Sequence, residues 1–118
     1  PEDVESYVNL AAALGRRGDR EGEARAYRAA VSLKPDHAAA WMNLGGTLAH
    51  DLKQPQEAIS IYCEAARAFE QQGRQVEAMA HFRVLARAAR QEKSDEYVPL
   101  AAALQRLAQG EISSSVIG

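Results

Sequence analysis

Two stretches of this chain repeat each other at a fixed interval of 34 residues. The residues of the first block and their counterparts are Tyr7, Asn9, Leu10, Ala11 and Leu14, against Trp41, Asn43, Leu44, Gly45 and Leu48. A second block recurs at an interval of 35, with Ala26, Tyr27, Ala30 and Val31 against Ile61, Tyr62, Ala65 and Ala66. We therefore place one inserted residue in the turn around Asp51 to Pro55. A constant period of this length predicts a helical solenoid, in which each repeat stacks on its neighbours.

The composition is typical of a soluble globular domain. The chain has 118 residues, enough for one domain but not for two independent cores. It is 47% apolar and 25% charged, with a formal net charge of -2. No stretch approaches the ~20 consecutive apolar residues that a membrane span requires. The near-neutral charge gives no reason to expect nucleic acid or a membrane surface as the partner.

The single cysteine, Cys63, has no partner for an internal disulfide. This favours a reducing compartment, and we predict a cytoplasmic protein. The chain begins with Pro1 rather than Met, so we expect it to be a fragment of a longer protein.

Apolar residues recur at helical spacing along most of the chain, and strand-like alternation is absent. The pattern predicts six helices, over about Glu2 to Arg17, Arg20 to Leu33, His37 to His50, Pro55 to Gly73, Gln75 to Gln91 and Ser94 to Gly110. Asp19 and Asp36 are predicted N-caps, and Gly18 a left-handed C-terminal residue. The turns are short, so successive helices must pack as antiparallel hairpins. The last segment, 111–118, is predicted to be a flexible tail.

Small and large apolar residues occupy matched places in the two repeats. Ala11, Ala30, Gly45 and Ala65 stand where helices should approach most closely. The residues expected to fill the space between them are Tyr7, Leu10, Tyr27, Trp41, Leu44 and Tyr62.

Together these features resemble the tetratricopeptide repeat family. The match is carried by the period, an aromatic residue opening each first helix, Leu and a small residue after it, Gly18-Asp19 at the turn, and Pro35 after the second helix. The resemblance implies an all-α, solenoid-like fold, with repeats over about 4–36 and 38–72 inside a domain covering 1–110. Departures are Glu23 in place of the usual Ala, and Glu70 where Pro is expected.

The register of the third repeat is open. Counting helices makes 74–110 a third or capping hairpin. Motif matching would instead swap the types of its two helices, because Tyr97 to Leu104 repeats Tyr7 to Leu14 almost literally.

The resemblance also implies a function. First helices of such arrays line a concave groove that takes an extended peptide of another protein. The residues placed there are Val8, Asn9, Ala12, Arg16, Met42, Asn43, Gly46 and His50. Asn9 and Asn43 are 34 residues apart, and a carboxamide pairs with both N–H and C=O of a peptide backbone. The pair is similar to the asparagine row of superhelical peptide-binding arrays in this family.

Two other functions stay open. One is self-assembly through apolar solenoid ends, since Leu100, Leu104 and Leu107 recur at helical spacing on a sparsely charged helix. The other is a docking segment of a larger enzyme. No acid, base, nucleophile or metal-ligand constellation is visible, so we expect no enzyme activity and no cofactor within these residues. Arginine clusters such as Arg83, Arg87 and Arg90 are read as solvated helix faces.

Overall fold

The chain folds into three helical hairpins, as seen in a computed structural model that describes residues 3–111. Its α-helices are α1 (Val4–Arg16), α2 (Arg20–Leu33), α3 (Ala38–Gly46), α4 (Pro55–Gln71), α5 (Gln75–Arg90) and α6 (Val98–Ala108). A π-helical turn, Thr47–Asp51, follows α3, and a 3-10 turn, Asp95–Tyr97, precedes α6. No strand occurs in residues 3–111. The predicted all-α fold with six helices is confirmed, whereas the predicted tail beyond Glu111 lies outside the described residues.

Local signals explain most helix ends. The Asp19 carboxylate accepts a hydrogen bond from the Gly22 amide at 2.9 Å, which confirms it as the N-cap of α2. The predicted cap Asp36 is wrong. His37 takes that place, and its Nδ1 accepts from the Ala40 amide at 3.1 Å. Gly18 ends the first turn with φ 84°, a left-handed conformation that glycine adopts without steric cost.

The inserted residue of the second repeat lies before the turn rather than in it. The Leu52 amide donates to the Thr47 carbonyl at 3.0 Å, a five-residue separation that defines the π-helical turn. One extra residue is taken up in this way without breaking the helix. After the insertion the interval is 35, so Lys53 stands where Gly18 stands in the first repeat, and it has φ 57°.

Hairpin partners are neighbours in sequence: α1 packs on α2, α3 on α4 and α5 on α6. The third pair is therefore a hairpin, as helix counting predicts. It docks differently from the second one, because α6 makes a more extensive contact with α4 than α5 does. The buried Tyr97 hydroxyl donates to the Ala49 carbonyl at 2.7 Å and ties this hairpin to the π-helical turn.

Burial corrects three expectations. Leu10 is 48% exposed, although its counterpart Leu44 is fully buried. The reason is that α3 lies between α2 and α4, whereas α1 packs mainly on α2. Leu100, Leu104 and Leu107 are each about 1% exposed and belong to the core, so they form no surface for self-assembly. Trp41 is only half-buried, and its indole N–H donates to the Pro35 carbonyl at 2.7 Å.

Replacing Tyr97 by Phe should destabilise the third hairpin. Tyr97→Phe removes the hydroxyl and leaves the buried Ala49 carbonyl without this donor, at a cost of about 1–3 kcal/mol. Urea unfolding followed by circular dichroism measures the loss. Tyr7→Phe is the matched control, because Tyr7 is half-buried and its hydroxyl has no hydrogen-bond partner among residues 3–111. Equal stabilities of the two variants would contradict the role assigned to Tyr97.

Lys53→Gly should raise stability. A non-glycine residue in the left-handed region costs about 1 kcal/mol, and glycine removes that strain while losing part of the gain to its more flexible unfolded state. We expect a net increase of a few tenths of a kcal/mol, up to about 1 kcal/mol, in the free energy of unfolding. Gly18→Ala introduces the same strain into the first repeat and should lower stability. A melting temperature that falls in Lys53→Gly would show that the Lys53 side chain contributes more than its backbone costs.

Candidate functional site

A cleft of about 490 Å³ lies between the second and third hairpins. One wall is α3 with its π-helical turn, the other is α5, and side chains of α2 and α4 reach in between them. The residues that line it are Glu23, Tyr27, Met42, Asn43, Gly46, Thr47, His50, Asp51, Tyr62, His81, Val84 and Leu85. This volume is in the range of protein ligand sites, and the walls combine apolar with hydrogen-bonding groups.

Tyr62 forms the bottom of the cleft by packing on the backbone of α3. A Cβ atom at Gly45 would lie 2.7 Å from a ring carbon of Tyr62, so only glycine permits this approach. At Gly46 the nearest atom is the Tyr62 hydroxyl, 3.8 Å from such a Cβ. On its other side the ring meets Phe82 of α5 edge to face, with centroids 6.1 Å apart. Tyr62 therefore joins both walls of the cleft.

The Tyr62 hydroxyl has no hydrogen-bond partner in the part of the chain that the structure describes. The residue is 1% exposed, and burial raises the pKa of its phenol far above the usual range. Its proton therefore stays on the oxygen at neutral pH. Because Gly46 and Tyr62 both line the cleft, this hydroxyl is directed towards it.

Asn43 lies in the cleft beside Tyr27. Burial and the nearby Glu23 carboxylate raise the pKa of Tyr27, while a hydrogen bond with the Asn43 side chain acts in the opposite direction. The Asn43 side chain is nevertheless exposed, so part of its donor and acceptor capacity faces the solvent.

Glu23 enters the cleft because glycine stands opposite. A Cβ at Gly15 would lie 2.7 Å from a Glu23 carboxylate oxygen, so the larger residue on α2 is matched by a smaller one on α1. The Glu23 side chain is only 12% exposed and pairs with Arg20 at 3.2 Å. The same Arg20 nitrogen lies 3.7 Å from Asp51, so one guanidinium serves two carboxylates.

The π-helical turn supplies three lining residues, Thr47, His50 and Asp51. Wider turns of this kind change the direction of the side chains that follow, and they are frequent at functional sites. The Thr47 hydroxyl donates to the Asn43 carbonyl at 3.1 Å and is thus occupied within the helix.

The eight residues that the sequence places in a groove separate into two sets. Met42, Asn43, Gly46 and His50 line the cleft. The four residues of α1 do not line it; these are Val8, Asn9, Ala12 and Arg16. Asn9 is exposed, at the position of α1 equivalent to that of Asn43 on α3.

Sequence reasoning missed the cleft residues outside the first helices. Glu23 carried a signal, because it departs from the resembled repeat pattern at a position usually held by Ala. For Tyr27 and Tyr62 the sequence predicts only a place in the core. Nothing in the sequence marks residues of α5 as part of a cleft, because the docking of that helix depends on contacts far apart in sequence. These residues are His81, Val84 and Leu85.

Other reactive side chains do not meet in this region. Cys63 is buried, and burial raises the pKa of its thiol, which disfavours the reactive thiolate. Among residues 3–111 no group of three or more His, Cys, Asp or Glu side chains is arranged to hold a metal ion. Arg83, Arg87 and Arg90 of α5 do not line the cleft.

Comparison with protein families agrees with the hairpin structure. The model described as tetratricopeptide repeat matches residues 4–37 and again 38–72, together more than half of the chain. The chain belongs to the tetratricopeptide repeat family. Repeats of this family are generally protein–protein interaction modules and typically non-catalytic scaffolds. A search of curated proteins found no match.

The tetratricopeptide repeat domain has no helix, within residues 3–111, whose length and apolar character would let it cross a membrane. The family match ends at residue 72, so the third hairpin and its wall of the cleft lie beyond the matched repeats.

Two neighbouring glycines should respond oppositely to the same change. Gly45→Ala drives a methyl group into the Tyr62 ring and should destabilise the domain by roughly 1–3 kcal/mol. Gly46→Ala meets only an ordinary contact and should stabilise α3 by about 0.5–1 kcal/mol, the usual difference between Ala and Gly in a helix. Thermal and urea unfolding of the two variants provide the test. Similar effects of both substitutions would show that the ring does not rest on Gly45.

Proposed function

We propose that this tetratricopeptide repeat domain binds an extended segment of another protein in the cleft between α3 and α5, without catalysing a reaction. The observation that supports the proposal most strongly is the cleft itself. It combines an exposed amide, Asn43, with the apolar side chains Met42, Val84 and Leu85. An extended peptide presents the complementary groups, namely a backbone with free N–H and C=O and side chains on alternate faces.

In this proposal Asn43 pairs with the peptide backbone. A carboxamide both donates and accepts, so it can hold one peptide unit whatever the side chain there. Gly46 leaves room beside it, and Met42 and His50 contact the flanking side chains. Asn9 continues the row on α1, where Val8, Ala12 and Arg16 would contact the part of the peptide that leaves the cleft.

The binding domain is taken as residues 1–110. Repeats at about 4–36 and 38–72 form its regular part, and the hairpin over 74–110 caps it and provides the second wall. We place the domain in the cytoplasm. Its partner is a protein rather than nucleic acid, because the carboxylates that line the cleft would repel phosphate groups.

A random dodecapeptide display library, selected on the folded domain, tests the proposal. The most enriched peptide is synthesised with a fluorophore, and its affinity is measured by fluorescence polarisation. Combined Asn9→Ala and Asn43→Ala substitutions should weaken binding roughly tenfold or more, since each lost hydrogen bond contributes about 1 kcal/mol. Both side chains are exposed, so the melting temperature should change little.

Gln56→Ala is the matched control, because it removes an exposed amide on α4 outside the cleft. Its affinity should equal that of the unchanged domain. Failure to enrich any peptide, or equal affinities of the double variant and the control, would contradict the proposed function. An effect of Asn43→Ala without one of Asn9→Ala would confine the binding site to the cleft and remove α1 from it.

A further inference from the structure

We propose that a second groove, between α5 and α6, binds an amphipathic helix of a partner protein, in which carboxylates flank an apolar stripe. The groove has a volume of about 440 Å³. It shares no lining residue with the cleft among the described residues, so this site is independent of the proposed function. The residues that line the groove are Ala89, Arg90, Glu92, Ser94, Val98, Ala101, Ala102 and Gln105.

The floor of the groove consists of Ala89, Val98, Ala101 and Ala102 and is apolar. Ala89 and Ala101 are buried, whereas Ala102 is exposed. Val98 is 62% exposed, an unusual position for a large apolar side chain in a surface groove that nothing fills. Methyl side chains let the axis of another helix approach to about 8–10 Å. The floor therefore suits the apolar stripe of a helix.

Three arginines, Arg83, Arg87 and Arg90, form an arginine row along the α5 side of the groove. Arg90 lines the groove, and the other two precede it by three and seven residues, which places all three on one side of α5. All are exposed. Within residues 3–111 none of them forms an ion pair, although Arg90 donates to the Gln105 side chain at 3.0 Å. Carboxylates of a partner at helical spacing would pair with this row.

The apolar floor favours a helical occupant over an extended one. An extended peptide brings unpaired backbone N–H and C=O groups, and a floor of Ala and Val side chains offers them no partner. The polar residues at the ends of the groove are already engaged, since Gln105 accepts from Arg90 and the Ser94 hydroxyl accepts from the Glu96 amide. A helix satisfies its own backbone and presents only side chains.

Glu92 determines the direction of the bound helix. It lines the groove at the turn between α5 and α6, where Asp95 and Glu96 are also exposed and Lys93 offsets one of the three carboxylates. A helix N-terminus carries partial positive charge and is stabilised by nearby carboxylates. The partner helix therefore begins at Glu92 and runs antiparallel to α5, which brings its own carboxylates to the arginine row.

Other occupants fit these charges less well. In the described part of the chain no α-helix carries two carboxylates free of ion pairs, so a second copy has no helix that matches the arginine row. Segments that bind anionic membranes usually have four to eight Lys or Arg residues, more than this row provides. The net charge of -2 further disfavours a membrane surface or nucleic acid.

A display library of helical peptides of about five turns tests the proposal. The positions of one face and of its two flanks are randomised, and peptides that also bind the Ala102→Trp variant, whose groove is filled, are removed. Enrichment of peptides with an apolar stripe flanked by Asp or Glu supports the proposal. No enrichment, or enrichment of basic or uncharged peptides, overturns it and leaves the proposed function of the cleft standing.

The most enriched acidic peptide is then labelled, and its affinity is measured by fluorescence polarisation. Combined Arg83→Gln and Arg87→Gln substitutions should weaken binding roughly threefold to tenfold. The matched control, Arg17→Gln with Arg25→Gln, removes the same charge from exposed positions of the first hairpin and should leave affinity within about twofold. Equal effects of the two double variants would reduce the attraction to net charge and overturn the proposal.

A second pair of variants tests the groove itself. Ala102→Trp should weaken binding roughly tenfold or more, whereas Ala39→Trp on α3 should leave it within about twofold. Both alanines are exposed, so both variants should keep the melting temperature of the unchanged domain. Asn43→Ala, in the cleft, should not change the affinity for the acidic peptide. Weaker binding in Asn43→Ala, or equal affinities of the two Trp variants, would remove the peptide from the groove.

The remaining occupants are tested on the domain alone. Light scattering at two concentrations should show a monomer, and a dimer that Ala102→Trp dissociates would assign the groove to a second copy. Vesicles of phosphatidylcholine and phosphatidylserine should not retain the domain. Retention that the Arg83→Gln and Arg87→Gln substitutions abolish would assign the arginine row to a membrane. Either of these results would overturn the proposal.

Discussion

The contact between the Tyr62 ring and the backbone of α3 is the one on which the other features of the cleft depend. It requires that Gly45 have no side chain, because a methyl group there would lie 2.7 Å from the ring. It also brings α4 against α3 and, through Phe82, sets the position of α5. Dense packing of this kind transmits small changes in volume to every neighbour. The position of α5 in the cleft thus follows from the packing of Tyr62 on α3.

The cleft places polar groups where a folded domain alone would favour apolar ones. The Tyr62 hydroxyl opens to the cleft without a partner in residues 3–111, and the Glu23 side chain, which is only 12% exposed, pairs with Arg20. Groups of this kind cost stability when they are incompletely paired. Such costs are usually retained where a protein binds something, since the ligand then completes the pairing. The packing of the regular repeats around these groups offsets their cost in stability.

Much of the scaffold was predictable from the period, because equivalent residues in stacked repeats have equivalent neighbours. Leu44 and Tyr62 are buried as expected, and Asp19 caps α2 as its position predicts. The same reasoning fails for Leu10. Its counterpart Leu44 lies on a helix that packs between two others, whereas Leu10 lies on α1, which packs mainly on α2. This reasoning also fails for the third hairpin, where the decisive contact joins Tyr97 to Ala49, 48 residues apart. Of the cleft, periodicity identified the residues on α3 and could not identify those on α5, because no repeat unit relates the two walls.

The π-helical turn suggests how such a domain acquires a particular preference. An α-helix advances about 100° per residue, so an added residue rotates whatever follows it by that amount unless the helix widens to absorb it. Here the widening brings His50 and Asp51 to the cleft while the next hairpin still stacks. A single codon gained or lost in this stretch would alter which side chains face a partner without disturbing the array. Insertions, and not only substitutions, are therefore an evolutionary route by which stacked helical pairs diversify.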